Sequence, residues 1–246
     1  MSDLGASNTP IVSSPTEDDS MVLDNDPVPL LISSDPFDLT FRPFVIREEL
    51  RCMNAAESKP EDLPGRYGRT IADLKRLLQA IDALSVVAGG WAVWHYGYAG
   101  RVTEDVDIVV AQDSIEDLKR HATTFGFDFL PPPEGRWPKL FHRETTIDVD
   151  LLPEGGIPGT AFNRAPVAIR SPQNYGASQR SLPYISMGGL VELKLGAGRA
   201  KDIADLIEII KMHPDRIQEL KEHVTEIHAS YGPKFLQLVQ QAREES

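Results

Sequence analysis

Val87-Ala-Gly-Gly-Trp-Ala-Val93, followed by Arg101-Val-Thr-Glu-Asp-Val-Asp-Ile108, is the stretch on which the reading of this chain turns. Ser85-Val86-Val87-Ala88 is β-branched and apolar, as a buried strand is, and Gly89-Gly90 stops it abruptly. Trp91 to Tyr96 reads as a short apolar helix, and Asp105-Val-Asp-Ile-Val-Val110 as a second strand by alternation and branching. The implied unit is strand, tight glycine turn, helix, loop, strand. Asp105 and Asp107 leave the same face of the second strand with Cβ atoms about 7 Å apart, so they can share one divalent cation. Magnesium takes oxygen ligands and completes its shell with water and phosphate oxygens, which suits a pair of carboxylates facing a nucleoside triphosphate. Gly89 and Gly90 read either as a turn that needs positive φ or as a place where a triphosphate approaches unpaired backbone N–H groups.

Working outward, Ile71, Leu74, Leu77, Leu78, Ile81 and Leu84 fall at helical spacing from Gly68 onward. On the other side, Ser114 with Glu116 and Asp117 predicts a capped helix start running to Thr124, and Pro131-Pro132-Pro133-Glu134-Gly135 predicts a turn. Phe141 to Arg143 and Thr145 to Leu152 predict the arms of a hairpin bending at Glu144, and Val167 to Arg170 a strand inside the loop-rich segment 153–180. Helices are expected at Leu190–Leu195 and Asp202–Met212, then twice more before the end. The fold class is therefore α+β: a mixed β-sheet flanked by helices, with a C-terminal helical subdomain. The expected division is an acidic N-terminal tail over 1–60, a core over 66–185 and the helical part over 186–246.

Composition narrows the classes. The net charge is −12, and residues 1–60, with eleven acids against four bases, carry more than half of it. Their Ser, Pro and Asp content predicts disorder. Such a balance argues against non-specific DNA or RNA binding, whose affinity comes from neutralising phosphates with Lys and Arg. The single cysteine, Cys52, leaves no intramolecular disulfide and fits a reducing, cytoplasmic setting. No signal-like N-terminal run occurs, and the apolar segment 83–100 is broken by four glycines, so a membrane span is not expected.

The two motifs together resemble the nucleotidyltransferase superfamily: a hydrophobic strand, Gly-Gly, a short helix, then Asp-apolar-Asp-apolar. Gly89-Gly-Trp-Ala-Val93 is similar to aminoglycoside and lincosamide nucleotidyltransferases, and Arg101-Val-Thr-Glu-Asp-Val-Asp107 to the AbiEii-like toxins. The resemblance implies a nucleotidyltransferase-like sheet, two magnesium ions on Asp105, Asp107 and a third carboxylate, and nucleotide contacts from Gly89, Gly90, Arg101, Thr103 and Lys194. Thr146-Ile-Asp-Val-Asp-Leu-Leu-Pro153 supplies that third acid. Asp150 is the preferred choice because the resemblance places the acid just before the apolar pair and proline; Asp148 is the alternative. Leu190 to Asp205 is similar to a helical lysine-and-aspartate motif, which implies that Lys194 meets nucleotide phosphates; Asp202 and Asp205, three residues apart, read either as orienting Lys201 or Arg199 or as capping and solvating the helix.

The activity implied is transfer of an NMP from an NTP, ATP first, to a hydroxyl acceptor with release of pyrophosphate. The acceptor is left open between a small hydroxylated molecule and an RNA or protein modified by a toxin-like enzyme. A nucleotide-binding regulator without transfer activity is the reading from another class. His95, Trp91 and Trp94 are expected to be core residues.

Overall fold

The structure is a computed structural model that describes residues 50–100, 103–133, 136–160 and 163–245. The tail expected over 1–60 therefore lies outside the described residues up to 49, as do Glu134 and Gly135 of the proline-rich turn. Helix α1 spans Gly65–Ala80 and buries Tyr67, Ile71, Leu74, Leu77 and Leu78 along one stripe. It begins three residues ahead of Gly68, which lies against the Leu63 carbonyl where a β-carbon would collide. At Asp82 the chain takes a left-handed turn (φ 51°) into strand β1, Ser85–Val87. Helix α2, Gly89–His95, follows at once, and strand β2 covers Val106–Val110.

Helix α3 spans Ser114–His121, with Asp113 rather than Ser114 at the N-cap position, and runs on as a 3-10 turn to Phe125. Strand β3 (Phe127–Leu130) was not foreseen: a four-residue edge strand offers too few alternations to stand out in sequence. Strands β4 (Lys139–His142) and β5 (Ile147–Pro153) form the expected antiparallel hairpin across residues 143–146. No strand forms at 167–170; a short pair, β6 (Gly159–Thr160) and β7 (Asn163–Arg164), lies before it instead.

The sheet order is β1-β2-β5-β4-β3, with β5 parallel to β2 and the other neighbours antiparallel. Its two faces differ in composition. One carries Val106, Ile108, Val110, Leu140, Ile147, Val149 and Leu151, all buried, and rests on α1 and α3. The other buries Val86 and Val109 at the β1 end and carries Asp107, Lys139, Phe141, Asp148 and Asp150, which are only partly buried, towards the other end. Period-two alternation in β5 produces this split directly.

Beyond Ser186, whose hydroxyl accepts from the Gly189 N–H at 3.2 Å, helix α4 (Met187–Ala197) is buried on nearly every side. Helices α5 (Ala200–Met212), α6 (Ile217–Ile227) and α7 (Tyr231–Glu244) surround it. A helix buried all round carries no amphipathic stripe, and its two charged side chains, Glu192 and Lys194, both find partners inside the protein. Among the described residues no helix is long and apolar enough to cross a membrane.

Candidate active site

Asp107 on β2 stands directly beside Asp150 on β5 in the parallel ladder, and Asp150 stands opposite Lys139 on β4. Paired positions on one face are about 5 Å apart, so this face carries a continuous row of carboxylate, carboxylate and ammonium. Of the two acids of β5, Asp150 is the neighbour of Asp107, while Asp148 pairs with Phe141 one row away. Lys139 Nζ lies 2.7 Å from Asp150 Oδ1 and 3.5 Å from Asp148 Oδ2. The closer approach is an ion pair that engages the buried Oδ1 of Asp150.

Asp107 is the electrostatic centre of the row. Burial first, then the neighbouring charges of Asp105 and Asp150, raises its carboxyl from an ordinary value near 3.8 to about 6, while Lys194 and Lys201 pull it back down. Two acids that each disfavour the other's charge form a site that a cation relieves. Gly89 (φ +60°) is what lets Asp107 in: a β-carbon there would overlap the Asp107 carboxylate. The group that approaches this glycine most closely is thus the protein's own acid, a reason for Gly89 that needs no ligand. Gly90 is buried in the first turn of α2.

Asp105 lies immediately before β2 and is held from two sides. The Thr103 hydroxyl donates to its Oδ1 at 2.7 Å, and Trp91 Nε1 donates to its main-chain carbonyl at 2.9 Å. Tyr67 in turn donates to the Thr103 carbonyl at 3.1 Å and packs its ring 4.6 Å from that of Trp91. Thr103 is buried and faces the acid, so its visible work is to fix a carboxylate. Arg101, expected to reach a phosphate, lies outside the described residues.

Lys194 is placed differently from the expectation of a free phosphate ligand. Its ammonium is buried between Asp205 Oδ2 at 2.6 Å and Asp202 Oδ1 at 3.4 Å. Asp202 also receives Arg199 Nε at 2.7 Å. Burial on its own would raise the Asp202 carboxyl, but the Arg199 hydrogen bonds and the Lys194 charge outweigh it and hold it below the usual range. The exposed cations on this side are Arg199, whose charge is stabilised by Asp202 and, farther off, by Asp107 and Asp105, and Lys201. Both were visible in sequence only as residues for Asp202 or Asp205 to orient. Lys139 carried no signal at all, because its importance comes from a strand pairing.

Trp91 and Trp94 are buried, as expected, and His95 is half-buried, stacking on Tyr184 at 4.2 Å. Among the described residues no three His, Cys, Asp or Glu side chains converge as a ready-made metal site. The donor set still suits a divalent cation: hard oxygens, and an Asp107 carboxylate made costly by its neighbours. Two cavities, of about 360 Å³ beside Gln79 and Arg180 and about 190 Å³ beside Arg164 and Lys234, have no lining residue in common with the row.

No family model matches the sequence, and no curated protein matches it. Solved structures do. The chain is similar to the solution structure of the antibiotic-resistance factor ANT(2'')-Ia, with 13% identity over 71% of this chain and 95% of that one and a TM-score of 0.43. It is also similar to the crystal structure of ANT(2'')-Ia in complex with adenylyl-2''-tobramycin, with 15% identity over 72% and 96% of the two chains and a TM-score of 0.38.

Proposed function

We propose that this chain is a magnesium-dependent nucleotidyltransferase that moves an NMP from an NTP to a hydroxyl acceptor and releases pyrophosphate. The observation that carries this reading is the side-by-side register of Asp107 and Asp150, with Asp105 fixed two residues before Asp107. Asp105 and Asp107 would hold the cation. When bound, magnesium would neutralise triphosphate oxygens and favour loss of pyrophosphate.

The remaining roles belong to side chains of the chain itself. Thr103 and Trp91 keep Asp105 in position. Asp150 accepts the proton of the acceptor hydroxyl as its oxygen bonds to the α-phosphorus and the bond to the pyrophosphate oxygen breaks. Arg199 and Lys201 face the row from the start of α5 and receive phosphate charge, whereas Lys194 holds α4 to α5 through Asp202 and Asp205. ATP is the first donor to test. The acceptor is a small hydroxylated molecule or an RNA or protein hydroxyl.

The test is calorimetric titration of ATP, GTP, CTP and UTP with Mg²⁺ into the wild type and Asp105→Ala/Asp107→Ala, followed by a radiolabel transfer screen. Metal-dependent binding that the double variant loses supports the reading. Binding of none of the four nucleotides by the wild type would overturn it.

A further inference from the structure

The position of Lys139 bears on how many cations the row can hold. A cation between Asp107 and Asp150 would need oxygens from both. On the far side of Asp150, however, Lys139 is its cross-strand partner, with Nζ 2.7 Å from Oδ1 and a second contact to Asp148 at 3.5 Å. One ammonium therefore bridges both acids of β5. Among the described residues no three acidic side chains converge as one ligand group.

Charge accounting points the same way. Asp105, Asp107, Asp148 and Asp150 carry four negative charges when ionised; Lys139, held between the two acids of β5, offsets one of theirs, and a divalent cation offsets the two of Asp105 and Asp107. A second divalent ion would then have to displace the ammonium or bind beside it against its repulsion. About a third of the Lys139 side chain is accessible; its partial burial works against the charge, and its two carboxylate partners outweigh that.

We propose that Lys139 is a built-in cation standing in place of an acceptor-side metal ion, so that the site takes one divalent cation, on Asp105 and Asp107. This rests on the functional reading above and changes its stoichiometry from two metals to one. The Lys139–Asp150 pair becomes the acceptor side of the site. Asp150 takes the acceptor proton, and the ammonium lies beside the oxygen that becomes negative as it attacks. Lys139 thereby selects acceptors as well as excluding a metal, since a cationic group next to the reacting hydroxyl meets an ammonium there.

The experiment counts bound Mn²⁺ by the electron paramagnetic resonance signal of the free ion, on the full chain without nucleotide and with a non-hydrolysable ATP analogue. The proteins are wild type, Lys139→Met, Lys139→Arg and Asp105→Ala/Asp107→Ala. In the nucleotide-free series the expected counts are one ion for wild type and Lys139→Arg, two for Lys139→Met, and none for the double variant. With the analogue present, Lys139→Met is expected to hold one ion more than wild type.

Two ions on nucleotide-free wild type, or no gain by Lys139→Met in either series, overturns the inference while leaving the transferase reading in place. No bound ion on wild type in either series overturns both. Lys139 is partly exposed and in no core cluster, so the variants are expected to fold, and a melting curve for each separates unfolding from a changed count.

Discussion

Gly89 and Asp107 occupy one another's space: the left-handed backbone of the glycine leaves room that the Asp107 carboxylate fills, and a β-carbon on Gly89 would stand 2.8 Å from Asp107 Cβ. Gly89→Ala must move the acid or the start of α2, and it also forces a non-glycine residue to φ +60°. The expected outcome is a loss of at least tenfold in cation affinity together with a lowered melting temperature. Unchanged Mn²⁺ affinity in a folded Gly89→Ala would show that the site does not depend on this close approach.

The raised Asp107 carboxyl makes stability depend on pH in a defined direction. Its folded value of about 6 exceeds the ordinary 3.8, so between those limits the native state binds more protons than the unfolded chain. Metal-free protein gains stability as pH falls through about 6 towards 4 and loses it as pH rises, by up to about 3 kcal/mol from this group. Asp107→Asn removes the penalty and flattens that part of the profile. Melting curves across this range check it; parallel wild-type and Asp107→Asn profiles would count against it. Cation binding runs the opposite way and weakens below about pH 6, because the proton competes for the same oxygens.

Lys194 is buried between two acids, so Lys194→Met leaves Asp202 and Asp205 short of a cation. Removing one partner of a buried ion pair typically costs about 3–5 kcal/mol, a fall of about 10 °C in a chain of this size. If Lys194 served mainly to bind phosphate, Lys194→Met would instead keep its melting temperature and lose nucleotide affinity. Scanning calorimetry with nucleotide titration separates the two.

Lys201 is exposed, and none of the described ion pairs or hydrogen bonds involves its side chain. Lys201→Ala is expected to leave the melting temperature within about 2 °C of wild type and to weaken nucleotide binding about 3- to 10-fold, with a shallower salt dependence. Equal nucleotide affinity at low and high salt in wild type and variant would remove Lys201 from the phosphate side.

Thr103 acts on Asp105 through one hydroxyl, so Thr103→Val, close in shape, tests that hydrogen bond alone. Groups that orient a metal ligand commonly contribute 10- to 100-fold to metal affinity. The expected result is a drop in Mn²⁺ affinity of about tenfold with Thr103→Ser near wild type; failure of Ser to restore affinity would indicate a packing role.

The segment from α1 to β2 was legible because each of its signals is local: a helical stripe, read on to Leu84 where the helix itself stops at Ala80, branching in Val86 and Val87, the glycine stop, and alternation around Asp107. Strand β3 was not, for Phe127-Asp-Phe-Leu130 is too short to distinguish from a loop. Asp150 could be found from its own segment, but its adjacency to Asp107 and to Lys139 is a matter of register between distant strands, which no local pattern encodes. Lys194 presents the reverse case. Its motif was visible and its neighbours Asp202 and Asp205 were named, yet whether an ammonium faces a ligand or the next helix depends on packing of α4 against α5.

The parallel ladder between β2 and β5 also sets an order of events during synthesis. A hairpin can close as soon as its second arm emerges, but Asp107 must wait until α3, β3, β4 and β5 have been made before its neighbour exists. A partly translated chain that ends just before Asp150 carries Asp105, Asp107 and Lys139 but lacks the acid that stands between them. A ribosome-stalled series ending on either side of β5 would place the arrival of the complete row at a particular codon, making the site a timer for the completion of its own sheet.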